Sequence, residues 1–204
     1  MARSRSLDYD IKRKAILHRA AELFAQHGYG GASINMIATA CHVSKALLYH
    51  YYPDKEALLF DILTQHLTRL VEVAEQAALA TNDRLYTLAA ALLETYRNAD
   101  AEHQVQITAL KQLPPERQDG LRGLERRLVE IMSEIIAHEV PKIGQGKLLK
   151  PVTMSAFGML NWHYLWFRDG GSMTREQYAR FVTQLILSGA AQAAMVVNAE
   201  ALPA

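Results

Sequence analysis

Apolar residues recur at helical spacing along nearly the whole chain. In the first part, Ile16, Ala20, Leu23 and Phe24 follow the i, i+4, i+7, i+8 pattern, and Gly28 is a typical residue to end such a helix. The alternation that marks a half-buried strand is sustained nowhere. The pattern therefore predicts an all-α protein. Its nine predicted helices span residues 9–27, 34–41, 45–51, 54–79, 82–98, 101–112, 116–138, 151–168 and 174–197.

The second and third predicted helices are short and are separated by a tight turn. Ser33 and Ser44 stand just before them, where a side-chain hydroxyl caps the free N–H groups of a first helical turn. Ala38 lets the two helices cross closely, while Val43 and Leu48 fill the angle between them. This is the spacing of a helix-turn-helix, whose second helix enters the major groove of DNA.

Charge is distributed unevenly between this head and the rest of the chain. Residues 1–55 hold eight Lys or Arg against four Asp or Glu, a net charge of +4. The remaining residues hold fourteen against seventeen, a net charge of −3. A basic head on a mildly acidic body suits a head that meets phosphate, although such an imbalance is also compatible with a solvated face.

The run VSKALLYHYYPDKEALL closely resembles the signature of TetR-family transcriptional repressors, and RAAELFAQHGYGGASINMIA resembles the opening helix of that family. The resemblance covers roughly residues 10–60. It implies a nine-helix TetR-like fold, with a three-helix DNA-binding head over 1–55 and a ligand-binding and dimerisation body over 56–204. Function would then be ligand-responsive regulation of transcription, most simply repression.

Two positions depart from the family pattern. Cys41 and His42 stand where the family usually has Ala-Gly before the Val-Ser of the turn. A His in a left-handed turn conformation costs energy relative to Gly, so we expect local strain. Tyr52 replaces the commoner Phe, which should be tolerated if its hydroxyl reaches water. Tyr51 and Tyr52 are otherwise predicted to be core residues.

The family's DNA contacts carry over onto the head. The two cap serines would hold phosphates together with the N–H groups of their helix starts. The third helix would face the groove with its first turn and reach phosphate or a base edge one turn later, and Lys55 would touch the backbone. Two arginines on a flexible arm would enter the minor groove. The predicted DNA-binding residues are Arg3, Arg5, Ser33, Ser44, Lys45, Ala46, Leu47, Tyr49, His50 and Lys55.

The last two predicted helices indicate a homodimer. Residues 152–167 are apolar on almost every side, and 174–197 carry an unbroken apolar stripe, which a single chain of this size cannot easily cover. A four-helix bundle across a twofold axis would cover both, and the family resemblance implies the same arrangement. A symmetric dimer would read a palindromic operator. The predicted interface residues are Phe181, Leu185, Gly189 and Ala193.

Aromatic and methionine residues of the same region suggest a small apolar effector. Ordinary core and interface packing is the competing interpretation for each of them. The segment AFGMLNWHYLWF followed by RDGGSMTREQYA resembles the C-terminal part of TetR-family members that sense acyl-CoA thioesters. Basic residues between 117 and 150 would receive nucleotide phosphates or form a solvated face. The predicted ligand-binding residues are Tyr96, Arg126, Lys147, Met159, Trp162, His163 and Trp166.

Composition and motifs weigh against other classes. Half of the chain is apolar and 21% is charged, which supports a folded core. No Gly-rich phosphate loop, HExxH or GxSxG is present, and the eight histidines lack paired ligand spacing, so we predict no enzyme, cofactor or metal. A single cysteine and the lack of a run of ~18 apolar residues favour a cytoplasmic protein without a membrane partner. The alternatives are a multidrug-sensing repressor of an efflux gene and a helical adaptor that binds only protein. The adaptor leaves the basic head unexplained.

Overall fold

The computed structural model describes residues 2–97, 99–144 and 146–200, with side chains from 9 to 196 except at 98 and 145. Within these residues the fold is all-α, as predicted, with no strand. The helices are α1 (Ala2–Gly31), α2 (Ile34–Ala40), α3 (Lys45–Tyr51), α4 (Lys55–Ala78), α5 (Arg84–Arg97), α6 (Asp100–Ala109), α7 (Pro115–Glu139), α8 (Leu149–Asn161) and α9 (Arg175–Glu200). Short 3-10 turns lie at Leu110–Gln112, Pro141–Ile143 and His163–Leu165. No helix in this part of the chain has the length and hydropathy needed to cross a bilayer.

Two predicted helix boundaries are wrong by several residues. The first helix begins at Ala2 rather than at residue 9. Its predicted end at Gly28 is confirmed, because Gly28 has φ of 72° and breaks the helix, and a short helical segment then continues to Gly31. The predicted helix over 151–168 ends at Asn161, because the chain then tightens into a 3-10 turn. In that turn the N–H groups of Trp166 and Phe167 both donate to the carbonyl of His163. This early end of α8 decides which of its aromatic residues face the protein and which face solvent.

The helices form two compact units, Met1–Thr68 with Ala99–Gly123 and Arg69–Asn98 with Leu124–Ala204. In the first unit α1 packs along α6 and against α2, which in turn packs on α3. Its core includes Ile16, Phe24, Ile37 and Leu48, all at most 2% exposed. The predicted functional division at residue 55 stays a prediction, since these units are defined by packing alone.

In the second unit α9 packs along α5 and against α8. The core there is built from the inward faces of these three helices and of α7, whose Met132 and Ile136 are completely buried. Its fully or nearly fully buried side chains include Leu88, Leu92, Tyr96, Leu160, Val182 and Ile186. Such mutual burial of apolar stripes is what stabilises helices of this length.

Candidate functional site

The helix-turn-helix is built by its two serine caps. The N–H of Met36 donates to the hydroxyl of Ser33 at 3.2 Å, and the N–H of Leu47 donates to the hydroxyl of Ser44 at 3.1 Å. Both serines have extended backbone conformations, as N-cap residues do. The predicted caps are therefore confirmed, and they determine where α2 and α3 begin. The predicted phosphate contacts of the same serines stay predictions.

The turn between these helices passes through a left-handed residue. His42 has φ of 54°, and its N–H donates to the carbonyl of Thr39 at 3.1 Å. The N–H of Val43 then donates to the carbonyl of Ala38 at 3.0 Å, which closes the end of α2. The expectation of a histidine in a glycine-like conformation is thus confirmed. Its imidazole is exposed, so no buried contact compensates for the strain.

One face of α3 lies against the protein and the other is open. Leu48 is completely buried and anchors the helix. The five residues predicted to face DNA are all exposed, including two large apolar side chains, Leu47 at 38% and Tyr49 at 44%. The ammonium of Lys45 lies 5.8 Å from the centre of the Tyr49 ring. The open face therefore combines a cation with uncovered apolar surface.

The C-terminal end of α3 is held by two tyrosines. Tyr51 is half-buried and stacks on Tyr9 of α1, with ring centres 4.6 Å apart. Tyr52 is 5% exposed, which confirms its predicted place in the core. Its hydroxyl is satisfied by a partner that the sequence did not indicate, because it donates to the Asp61 carboxylate of α4 at 2.5 Å.

The predicted backbone contacts at the edges of the head have mixed outcomes. The ammonium of Lys55 donates to the carbonyls of Tyr29 and Ala32 at 2.7 and 3.0 Å and lies 4.4 Å from the centre of the Tyr29 ring. A lysine has three N–H donors, so one remains for a phosphate. Arg3 and Arg5 fall within the bounds of α1 rather than on an arm that precedes it. Their side chains lie outside the described ones, and their minor-groove contact stays a prediction.

The apolar stripe of α9 divides into two faces. Tyr178, Val182, Ile186, Ala190 and Ala194 are buried in the second unit. The four predicted interface residues point elsewhere: Phe181 is 52% exposed and Leu185 is 49% exposed, Gly189 is exposed, and Ala193 is half-buried.

Large apolar residues of α8 and of the turn after it are open as well. We call this set, with the open residues of α9, the α8–α9 face: Met154, Trp162, Leu165, Trp166, Phe181, Leu185, Met195 and Val196. The two helices share it through ring contacts. Trp166 packs edge-on against Tyr178, and Tyr178 in turn stacks on Phe181. The single chain leaves these residues open, and their burial by a second copy stays a prediction.

Two of the predicted ligand-binding residues meet inside the second unit. Tyr96 and His163 are buried, with ring centres 5.9 Å apart. The hydroxyl of Tyr96 donates to Oδ1 of Asn161 at 3.0 Å, and burial raises the pKa of Tyr96 well above its usual value. Met159 is half-buried, and its carbonyl accepts from the Tyr178 hydroxyl at 2.8 Å.

The other four predicted ligand-binding residues are exposed. Trp162 and Trp166 belong to the α8–α9 face. Arg126 lies on α7, and Lys147 lies in the loop before α8. The structure thus brings the buried aromatic pair together and leaves the two tryptophans and the two cations at the surface.

The residues that fix the His163 ring were not predicted from the sequence. The guanidinium of Arg175 lies 2.7 Å from Nε2 of His163, and Nδ1 lies 2.9 Å from the carbonyl of Leu160. Because a guanidinium can only donate, Nε2 accepts, and the proton of a neutral ring is on Nδ1. Arg175 also donates to Asp169, and this hydrogen bond holds the pKa of Asp169 below its usual value. The only sequence signal was the Asp–Arg spacing in the loop before α9.

Comparison with known proteins agrees with this architecture. The sequence model described as "Bacterial regulatory proteins, tetR family" matches residues 16–62, and the one described as "Tetracyclin repressor-like, C-terminal domain" matches residues 78–190. The chain belongs to the TetR family. The two TetR matches together cover the second half of α1, the helix-turn-helix, the start of α4 and the helices from α5 into α9. The proteins of this family are transcriptional regulators, so the predicted class is confirmed.

Solved TetR-family structures align with most of the chain. A TetR-family regulator from Bordetella parapertussis is 35% identical, over 86% of this chain and 93% of that one, with a TM-score of 0.81. AibR, solved in complex with isovaleryl coenzyme A and operator DNA, is 27% identical over 85% and 97%, with a TM-score of 0.74.

Curated relatives fall into two groups. The transcriptional repressor KstR2 of Rhodococcus jostii is 26% identical over 189 residues, which is 88% of this chain and 91% of KstR2. The match to the transcriptional regulator YuxN of Bacillus subtilis is 41% identical over 66 residues, and it spans 30% of this chain but only 23% of YuxN. Only a match over most of the chain, such as that to KstR2, includes the second unit, and the short match to YuxN does not support any comparison there.

Proposed function

We propose that this TetR-family regulator represses transcription by binding a palindromic operator as a homodimer, and that a small apolar effector, for which an acyl-CoA thioester is our candidate, releases it. The observation that carries the proposal is the geometry of the head. Two serine caps present α3 with one face fully anchored by Leu48 and the opposite face open.

The open face of α3 suits a DNA major groove. Its first turn presents the exposed Lys45 side chain, whose ammonium can donate to phosphate or to the acceptor atoms of guanine. Tyr49 and His50 stand one turn further along and are exposed. Phosphate contacts from the caps would position the helix, while Lys45 and its exposed neighbours would read the bases.

The α8–α9 face supports a dimer. It places several half-exposed aromatic and aliphatic side chains on adjoining elements, whereas monomeric proteins rarely expose large contiguous apolar patches. A twofold axis would pair the patch with its own copy, because an isologous interface is self-complementary. The two copies of α3 could then meet successive major grooves, which lie about 34 Å apart.

The effector proposal rests on the second unit and on AibR. We expect the acyl group to lie near Tyr96 and Met159, since Trp162 and Trp166 belong to the face that the dimer would cover, and the phosphates to lie near the exposed cations Arg126 and Lys147. AibR binds an acyl-CoA in its solved complex, and KstR2 is a repressor. A ligand that prefers the state with misplaced α3 helices weakens operator binding, and a coupling of about 1–3 kcal/mol corresponds to a ~5–150-fold change.

The experiment is an operator-release assay on the purified protein with DNA from a selected binding site. The panel contains CoA thioesters with short, branched and aromatic acyl groups, the matching free acids, and CoA itself. We expect one class of thioester to release DNA at concentrations where its acid and CoA do not. Equal release by free acids would refute the thioester part, and release by an unrelated planar drug alone would indicate a multidrug sensor.

A further inference from the structure

The recognition helix α3 is too short to orient itself. It has seven residues, and isolated helices shorter than ~12–15 residues are marginal in water. Leu48 is its one completely buried side chain and lies in the middle of the helix. A single central anchor leaves a short helix free to pivot, so its direction depends on what holds its ends.

The C-terminal end of α3 is held through the carboxylate of Asp61. Tyr52, the residue that ends the helix, donates its phenol to Oδ2 of Asp61 at 2.5 Å. Burial and the neighbouring Asp61 charge raise the pKa of Tyr52 well above its usual value, so the phenol keeps the proton that it donates. Asp61 lies on α4, and this hydrogen bond therefore ties the end of α3 to α4.

The same carboxylate also accepts hydrogen bonds from Arg13 of α1. Nη2 of Arg13 lies 2.8 Å from Oδ1 and 2.6 Å from Oδ2 of Asp61, and Gln65 donates to Oδ1 at 3.2 Å. The Asp61 side chain is only 17% exposed. One short side chain on α4 thus accepts hydrogen bonds from α1 and from the end of α3, with little freedom of its own.

We propose that Asp61 is a positioning residue for the recognition helix, which sets the direction of α3 through Tyr52 and Arg13 without touching DNA. The proposal rests on the proposed function, since it assumes that α3 reads an operator. It makes operator affinity depend on a carboxylate, although a negative charge in a DNA-binding head by itself repels phosphate.

The effect of removing the Asp61 charge on operator affinity has opposite signs under a positioning role and under simple electrostatics, so the two can be distinguished. Asp61→Asn removes a negative charge, so general electrostatics predicts tighter binding to every duplex. The positioning role predicts weaker binding to the operator, because a neutral amide with one acceptor oxygen holds the Arg13 guanidinium less firmly than the carboxylate does. Tyr52→Phe changes no charge and removes only the hydroxyl, which makes it the cleaner probe of the same link.

Base readout and phosphate attraction should respond differently. A misdirected α3 loses contacts to base edges, whereas the attraction of the basic head for phosphate is independent of sequence. We therefore expect Tyr52→Phe and Asp61→Asn each to weaken operator binding about tenfold, as loss of a charged hydrogen bond implies. Affinity for a duplex of random sequence should change little in Tyr52→Phe, which keeps every charge, and should not fall in Asp61→Asn, which loses a negative charge.

The test measures fluorescence anisotropy of the full-length variants with a selected operator and with a random duplex, over a range of salt. Thermal unfolding is followed in parallel, so that folded variants are compared at a temperature where each is native. Tyr86→Phe is the matched control, since it removes a tyrosine–carboxylate hydrogen bond of the second unit, to Glu176 at 3.2 Å. The double variant with Tyr52→Phe and Asp61→Asn should weaken operator binding by less than the sum of the two single effects, because both changes act on the hydrogen bonds of one side chain.

The outcomes separate the two proposals. If the wild-type protein binds no duplex selectively, the proposed function fails, and the role of Asp61 fails with it. If the wild type is selective while Tyr52→Phe binds the operator as tightly as Tyr86→Phe does, the positioning role alone is refuted. If Asp61→Asn does not fold, the comparison of operator affinity between Tyr52→Phe and Tyr86→Phe decides the question by itself.

Discussion

Leu185→Glu should convert the protein from a dimer to a monomer. Leu185 is 49% exposed on α9, one turn from Phe181, and in the proposed dimer both would be covered by the partner. Full burial of a Leu side chain is worth about 1.5–3 kcal/mol, so covering the exposed half in two protomers contributes about 2 kcal/mol. Its loss alone corresponds to about a 30-fold weaker dimer. A glutamate adds the larger cost of an unpaired charge at each copy of the site, which is several kcal/mol.

Sedimentation velocity across a range of concentrations measures the result. The matched control is Gln184→Glu, which adds the same charge at the neighbouring exposed position of α9. We expect Gln184→Glu to sediment as the wild type and Leu185→Glu to sediment as a monomer with much weaker operator binding. A Leu185→Glu protein that stays dimeric would show that the interface lies elsewhere than on the α8–α9 face.

Three further predictions address local geometry. His42→Gly should raise Tm, because a non-glycine residue at φ of 54° costs about 1 kcal/mol of folding free energy. Relief of that cost corresponds to a Tm increase of about 2–4 °C for a chain of this size, and a lower Tm would contradict the strain. Lys55→Met should lower Tm, because the carbonyls of Tyr29 and Ala32 lose their hydrogen-bond donor, and an unchanged Tm would contradict the observed contacts. If the remaining N–H of Lys55 meets a phosphate, the slope of DNA affinity against salt concentration should also fall by ~1. Asp169→Asn should destabilise the protein at neutral pH but not in strong acid. Because the pKa of Asp169 is lower in the folded protein than its ordinary value of 3.8, the ionised carboxylate stabilises the fold at pH values above 3.8. This stabilisation is lost as the pH falls through the depressed pKa of the folded state, and thermal unfolding of both proteins at each pH measures it.

Local signals made the head predictable, and distant partners limited the rest. The caps at Ser33 and Ser44 act within three residues, so the sequence alone located α2 and α3. The acceptor of the Tyr52 hydroxyl lies on the next helix, and the acceptors of Lys55 lie 23 and 26 residues earlier in the chain. No periodicity of a single segment reveals such pairs.

The body shows the same limit in its packing. The stripe of α9 reads as one surface in the sequence because its core-facing and open residues are interleaved along the helix. Only the positions of α5 and α8 separate Val182, which is buried, from Phe181, which is open. The end of α8 was missed because the contacts of His163 with Arg175, twelve residues on, involve the next helix.

The most direct test of the account is selection of binding sites by the wild-type protein from a library of random duplexes. We predict enrichment of a palindromic sequence whose half-sites are centred about one helical turn of DNA apart, or a multiple of it, because two α3 helices related by a twofold axis must meet the same face of the duplex. Retention should also weaken steeply with salt. An enriched site without symmetry, or no enrichment under conditions where the protein is folded and dimeric, would contradict the central claim.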